Sequence, residues 1–167
     1  MSGLANHFRT FGQYNNWPNR RLYDACAELR EAAYFAPRAG AFFTTIHGAL
    51  NHIMVGDRAW MHRITGDGQS PATLDEELYP NLAELRIARD IEDARIRDFV
   101  EGCDDAELAR VVTYKPLTAS PDQRSVAEML GHLFNHQAHH RGQVHALLSD
   151  AGADPPPLDL IYYLRAI

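Results

Sequence analysis

Apolar positions recur at the helical period of 3.6 residues in four stretches of the chain, separated by breaks rich in Gly and Pro. From about Ser2 to Leu29, the residues Leu4, Phe8, Phe11, Leu22, Cys26 and Leu29 fall on one stripe. Pro18 lies on that stripe too; it lacks an amide hydrogen and crowds the carbonyl of Tyr14, which predicts a kink or restart near Asn16-Trp17. Asn15 shares the stripe, and its expected role is to satisfy the backbone groups freed at that break. Ala36 to Gly40, around Pro37, is a short connection. A second helix is expected from about Phe42 to Thr65, stopped by Gly66 and Gly68, with Ile46, Leu50, Ile53, Trp60 and Ile64 as its apolar arc. Asp57 falls within that arc, as a buried carboxylate paired with a backbone amide or an Arg rather than as a general base, which would need access to substrate.

Gly66 to Pro80 is a connection that reaches roughly 50 Å when extended, while a 20-residue helix is about 30 Å long. The chain can therefore return to the far end of the second helix and start a third parallel to it, Asn81 to Glu101. Leu85, Ile91 and Phe99 are expected to face inward there, and the many charges read as a solvated face. Cys103 to Arg124 is irregular, with Val111 to Tyr114 as a short strand weakened by Pro116. Ser125 and Glu128 then form a capping-box pattern that opens the fourth helix, and Gly152 with Pro155 to Pro157 ends it. The apolar run Leu158 to Leu164 is expected to pack as a C-terminal clasp.

The fourth helix carries five of the nine histidines, between His132 and His145. Val126, Leu130, Leu133, Val144 and Leu148 share its apolar arc. Residues four apart are offset by roughly 40°, so His132, His136 and His140 form a slanted row. His136 and His140 lie nearest the arc; His132 and His139 fall toward solvent, and His145 is on another face. Two inward imidazoles one turn apart can converge on one cation. On the second helix, His52 flanks the arc, with Gly48 and Gly56 leaving room around its imidazole, whereas His47 and His62 point elsewhere. If the second and fourth helices are neighbours, His52 joins His136 and His140 as a three-histidine set with an open position, the pattern of catalytic rather than closed structural zinc. Imidazole alone does not choose among zinc, nickel, cobalt, iron and copper.

Composition narrows the classes. At 167 residues and 46% apolar content, the chain suits one domain, 1–167, with a proper core. Its formal charge of −6 argues against binding a nucleic-acid backbone. There is no apolar run of membrane-spanning length and no signal-peptide pattern at the N-terminus. Two cysteines, Cys26 and Cys103, supply neither a disulfide framework nor a Cys-rich zinc site, so a reduced, cytoplasmic setting is expected. A di-iron carboxylate bundle is excluded, because neither His-bearing helix offers the required Glu-x-x-His pairs.

GALNHIMVGDRAW (Gly48 to Trp60), FNHQAHHRGQV (Phe134 to Val144), LDLIYYL (Leu158 to Leu164) and YNNWPN (Tyr14 to Asn19) together resemble the DinB/YfiT-like proteins, a family distinct from the DNA polymerase that shares the DinB name. The resemblance spans nearly the whole chain. It implies an all-α four-helix bundle of up-down-down-up topology, a homodimer, and one divalent transition metal, zinc or nickel, on His52, His136 and His140. It also implies a metal-dependent transferase or hydrolase, acting with a small-molecule thiol or another small substrate; charge and hydropathy, as above, argue against nucleic-acid and membrane partners. No catalytic residue is assigned beyond the ligands. The competing expectation is a non-enzymatic metal-binding stress-response protein. A basic patch beside the site would favour the enzyme, but Arg58, Arg63 and Arg141 read first as ion-pair partners, Arg141 in a structural salt bridge.

Overall fold

Helix boundaries follow local capping chemistry. The structure is a computed structural model that describes residues 3–39, 41–116 and 120–167. Ser2, Gly40 and 117–119, which the sequence reading placed in the first helix, the Ala36 to Gly40 connection and the irregular segment, lie outside the described residues. In chain order the elements are α1 (Gly3–Ala27), α2 (Glu31–Tyr34), α3 (Ile46–Thr65), α4 (Leu82–Gly102), α5 (Asp105–Ala109), β1 (Val111–Tyr114), β2 (Asp122–Ser125), α6 (Val126–Asp150) and α7 (Leu160–Ala166). The capping box is complete: the Glu128 amide donates to Ser125 Oγ at 3.2 Å, and the Ser125 amide donates to Glu128 Oε2 at 2.8 Å. Asn81 caps α4 through the Glu84 amide at 2.9 Å. Thr45 caps α3 through the Gly48 amide at 2.9 Å, so α3 starts at Ile46 rather than near Phe42. The residues before it are taken up by a turn in which the Arg38 amide donates to Thr44 O and the Thr44 amide to Ala41 O. Gly66, at φ 78°, ends α3 in the left-handed conformation that favours glycine.

Two apolar clusters fill the bundle. One holds Phe8 from early α1, Met61 and Ile64 from late α3, Ile96 and Val100 from late α4, and Leu130, Leu133 and Phe134 from early α6. The other holds Leu22 and Cys26 from late α1, Leu50 and Met54 from early α3, Leu85 and Ala88 from early α4, and Val144 and Leu148 from late α6. Helices α1 and α6 thus run one way and α3 and α4 the other. This is the expected up-down-down-up order, with α3 and α4 parallel. Helix α1 packs chiefly on α4 and α3 on α6. Among the described residues, the only strands are the β1–β2 hairpin, antiparallel with Val111 opposite Ser125. No described helix is long and apolar enough to cross a membrane.

A polar layer separates the clusters. Arg89, Arg141, Asp57 and Asp93 are all buried, joined by the amides of Asn15, Asn19 and Gln137. Arg89 Nη1 donates to Asp57 Oδ2 at 2.5 Å, and Gln137 Nε2 donates to the same oxygen. Arg89 Nη2 lies 2.9 Å from Asp93 Oδ1, which also accepts from Asn15 Nδ2 at 3.0 Å and Asn19 Nδ2 at 2.9 Å. Arg141 Nη1 closes the circuit by donating to Asn15 Oδ1 at 2.6 Å and Gln137 Oε1 at 3.3 Å. Burial pushes the Asp57 carboxyl up to about 7 against the pull of Arg89.

Several expectations are corrected by this layer. Asn15 does not serve freed backbone; it bridges Asp93 and Arg141. Helix α1 runs unbroken through Pro18, because Asn15 and Asn19 on either side anchor both turns to α4. Arg141 bonds to neutral amide oxygens rather than forming a direct salt bridge. With Arg89 and Asp93 occupying the inner face of α4, Ile91 is turned outward and is 65% exposed. The C-terminal run does pack on α1 as expected: Tyr14 donates to Leu158 O at 2.5 Å, and the Tyr163 ring meets those of Tyr14 and Trp17, although no residue of α7 is buried.

Gln137→Leu should cost about 2–4 kcal/mol, because it leaves the Asp57 carboxyl and the Arg141 guanidinium each one buried partner short. Urea denaturation at neutral pH measures this; a loss below about 1 kcal/mol would mean that water replaces the amide.

Candidate metal centre

With Leu133, Gln137, Arg141 and Val144 turned into the bundle, His136 and His140 of α6 lie along its seam with α3. The neighbouring stretch of α3 supplies His52 and, one turn on, Gly56. A Cβ on Gly56 would overlap the His136 Cε1 and sit 2.9 Å from its Nδ1, so only glycine lets this ring lie against the α3 backbone. The groove expected around His52 is therefore used differently. Gly56 makes room for His136, and Gly48 makes room for the Phe43 carbonyl rather than for an imidazole.

His52, His136 and His140 converge, with one ring nitrogen of each within 4.8 Å of the others. His52 Nε2 and His136 Nε2 are 3.2 Å apart. Two nitrogens each 2.0–2.1 Å from a tetrahedral ion lie about 3.3–3.4 Å apart, so this spacing fits a shared cation with little movement. Orientation comes from outside the trio. The Leu74 carbonyl, which can only accept, is 2.7 Å from His52 Nδ1 and so places the proton there, leaving Nε2 bare. Gln143 Oε1, 2.8 Å from His140 Nδ1, does the same for His140, and Gln143 Nε2 in turn donates to His139 Nε2 at 3.1 Å. Phe43 stacks on His52 with ring centres 4.0 Å apart. His136 Nδ1 is buried without a hydrogen-bond partner.

Burial, reinforced by His140 and His52, pushes His136 down to about 3. Burial likewise brings His140 down to about 4 against the hydrogen bond its Nδ1 donates to Gln143, and it lowers His52. Neutral imidazole is the form that ligates metal, so desolvation prepares the donors before any ion arrives. The donor set suits a borderline divalent transition metal and does not choose among them. A cavity of about 760 Å³, walled in part by Phe43, His52, Asp75, Glu77, His140 and Gln143, opens at the cluster.

The other histidines separate cleanly. His132 is exposed and faces Trp60 at 4.4 Å, in an aromatic group capped by Arg63. His139 is exposed and reaches the trio through Gln143 and the His140 ring. His47, expected to point away from the core, is buried, with the Tyr34 hydroxyl at Nδ1 and Asn51 at Nε2. Asp57 sits in the polar layer, bonded to Arg89 as its position on the arc suggested. Arg58 meets the Tyr79 hydroxyl at 2.6 Å, with Glu92 at 4.0 Å; Arg63 lies over aromatic rings instead of in an ion pair. Sequence reasoning missed Gln143, Leu74 and Phe43. Gln143 stands three residues after His140 and four after His139, a helical spacing visible in the sequence; a backbone carbonyl such as that of Leu74 leaves no such signal.

The three histidines have folded-state pKa values below their ordinary 6.5, so the unfolded chain takes up protons first as pH falls. Their contribution to stability is present above about pH 6.5 and is lost toward pH 4 and 3. Denaturation in EDTA should therefore show stability falling between pH 7 and pH 5, with a shallower slope in His136→Gln. An unchanged slope in that variant would show that His136 is already protonated in the fold.

Comparison with known proteins agrees with this architecture. The chain is 26% identical over 156 residues to Protein DinB of Bacillus subtilis (strain 168), covering 91% of this chain and 90% of that protein. The crystal structure of a DinB-like protein from Bacillus cereus ATCC 10987 superposes with a TM-score of 0.66 at 17% identity, over 88% of this chain and 94% of the other, which speaks for the fold. The DinB family model matches residues 1–166. With its all-α bundle and three-histidine cluster, the chain belongs to the DinB family.

Proposed function

We propose that the protein binds one divalent transition-metal ion, zinc or nickel, through the Nε2 atoms of His52, His136 and His140, and that it is a metal-dependent enzyme of the thiol-dependent transferase or hydrolase type. The observation that carries this reading is the convergence of three neutral imidazoles, two with bare nitrogens fixed by hydrogen bonds at Nδ1, beside an open cavity. Three protein donors and one side left to the cavity suit a catalytic site better than a closed structural one. When bound, the ion supplies Lewis acidity near neutral pH. The protein's own part is to orient and to desolvate. Leu74 and Gln143 set the ring planes, Gly56 admits His136, and Phe43 shields one face of His52 from water. The accessible cavity favours an enzyme over a storage or stress-response role, which needs no space for a substrate beside the ion.

Metal analysis of purified protein tests the reading directly. His136→Ala and His140→Ala should abolish stoichiometric metal, and His52→Ala should weaken it strongly. His132→Ala and His139→Ala should retain it, with at most a modest loss for His139 through Gln143. Gly56→Ala should lower affinity by about tenfold or more while keeping the helical spectrum, because the added methyl displaces His136. Full metal in His140→Ala alongside an empty site in His132→Ala would overturn the ligand assignment.

A further inference from the structure

The cavity beside the three histidines has an asymmetric charge. Its charged lining residues are Asp75, Glu76 and Glu77, and no Lys or Arg contributes to its walls. None of the three carboxylates is paired with Lys or Arg among the described residues. Glu76 Oε2 accepts from the Ala72 amide at 2.7 Å, and Glu77 Oε2 lies 3.9 Å from His47 Nε2, a ring that burial holds toward its neutral form. An adjoining cavity of about 680 Å³ shares Phe42, Phe43 and Gln143 and contains one Arg, Arg38. That guanidinium is committed: it donates to Asp150 Oδ2 at 3.0 Å and to the carbonyls of Ala33 and Ala36 at 2.9 Å each. Among the described residues, no uncommitted Lys or Arg lines either cavity.

Runs of acidic residues are ordinarily solvated loop surface, but this one is tied to the site. The residue before Asp75 is Leu74, whose carbonyl orients His52. Two residues after Glu76, the chain is pinned to α3, where Asn51 Oδ1 accepts from the Leu78 and Tyr79 amides at 2.9 and 3.1 Å. The acidic segment is thus fastened at both ends to the helix that carries His52. Phe42 also lines the cavity, edge-on to Phe43 and 86% exposed, with ring surface left for a ligand. Carboxylates and an aromatic face together favour an ammonium group and repel a carboxylate.

We infer that the substrate class of this site is a small molecule carrying a cationic amine, and that anionic thiols are selected against. The inference rests on the metal reading above and adds the charge of what that site accepts. It narrows the thiol expectation: a thiol partner is cationic or neutral, not a carboxylate-bearing one.

Cobalt(II)-substituted protein tests it, with the visible absorption of the ion reporting thiol binding. The probes are cysteamine, 2-mercaptoethanol and 3-mercaptopropionate, titrated into wild type, Asp75→Asn, and Asp75→Asn/Glu77→Gln. The thiols differ in intrinsic acidity, but that difference cancels when the cysteamine-to-mercaptopropionate affinity ratio is compared between proteins. The ratio should fall by about tenfold in the double variant and partway in Asp75→Asn, and it should shrink with added salt in wild type. Both side chains are exposed, and Asp75 has no hydrogen-bond partner among the described residues, so the single variant guards against a folding defect in the double one. A ratio unchanged between proteins, a wild-type preference for mercaptopropionate, or no response to any thiol with cobalt bound overturns the inference while leaving the metal reading intact. Failure to retain cobalt overturns the metal reading and this inference with it.

Discussion

Two guanidinium and two carboxyl groups buried at mid-height constrain everything else in this bundle. Arg89, Arg141, Asp57 and Asp93 reach one another through Asn15, Asn19 and Gln137, so each of the four long helices contributes at least one member. Leaving one such group unpaired costs more than the pair gains over an apolar core, so the layer acts less as glue than as a register lock. A slide of one helix by a turn would break several charge-assisted bonds at once, whereas apolar surfaces above and below would tolerate a shifted packing.

The histidine cluster inherits its precision from that lock. Gln137 follows His136 in the chain, and Asp57 follows Gly56; the bond from Gln137 to Asp57 thus fixes the level at which His136 meets the α3 backbone. One face of each helix makes the polar circuit, while the adjacent face presents imidazole. The two neighbouring environments differ: inside, Arg89 is held between the carboxyl groups of Asp57 and Asp93; at the seam, desolvation lowers the three imidazoles toward their neutral form. Neutral donors and a rigid frame are what a metal site needs. The same α3 segment also anchors the acidic loop through Asn51, so ring orientation and cavity charge share one support.

Much of the helical plan was legible because its causes are local. The capping box at Ser125 and Glu128, the glycine stop at Gly66 and the apolar period of each helix depend on residues within a turn or two. The parallel run of α3 and α4 followed from the length of the connection between them. The inward bearing of His140, and of His136 more than His132, came from helical angles alone. Errors arose where a local rule met a distant partner. Pro18 was expected to kink or restart a helix that runs on unbroken with Asp93 tied to it from across the bundle, and Ile91 was placed inward although Arg89 and Asp93 take the inner face.

By itself the sequence determined the four long helices, that the bundle is all-α, and which pair on the last long helix can act together, since those follow from backbone geometry and spacing. Only the tertiary structure decided that His52 meets that pair, that Gly56 serves His136, that His47 is buried, and that Leu74 and Gln143 orient the rings. Each of these depends on how two faces distant in the chain are juxtaposed, and that is set by pairing the charged groups of a buried layer with one another, a condition no single stretch of residues contains.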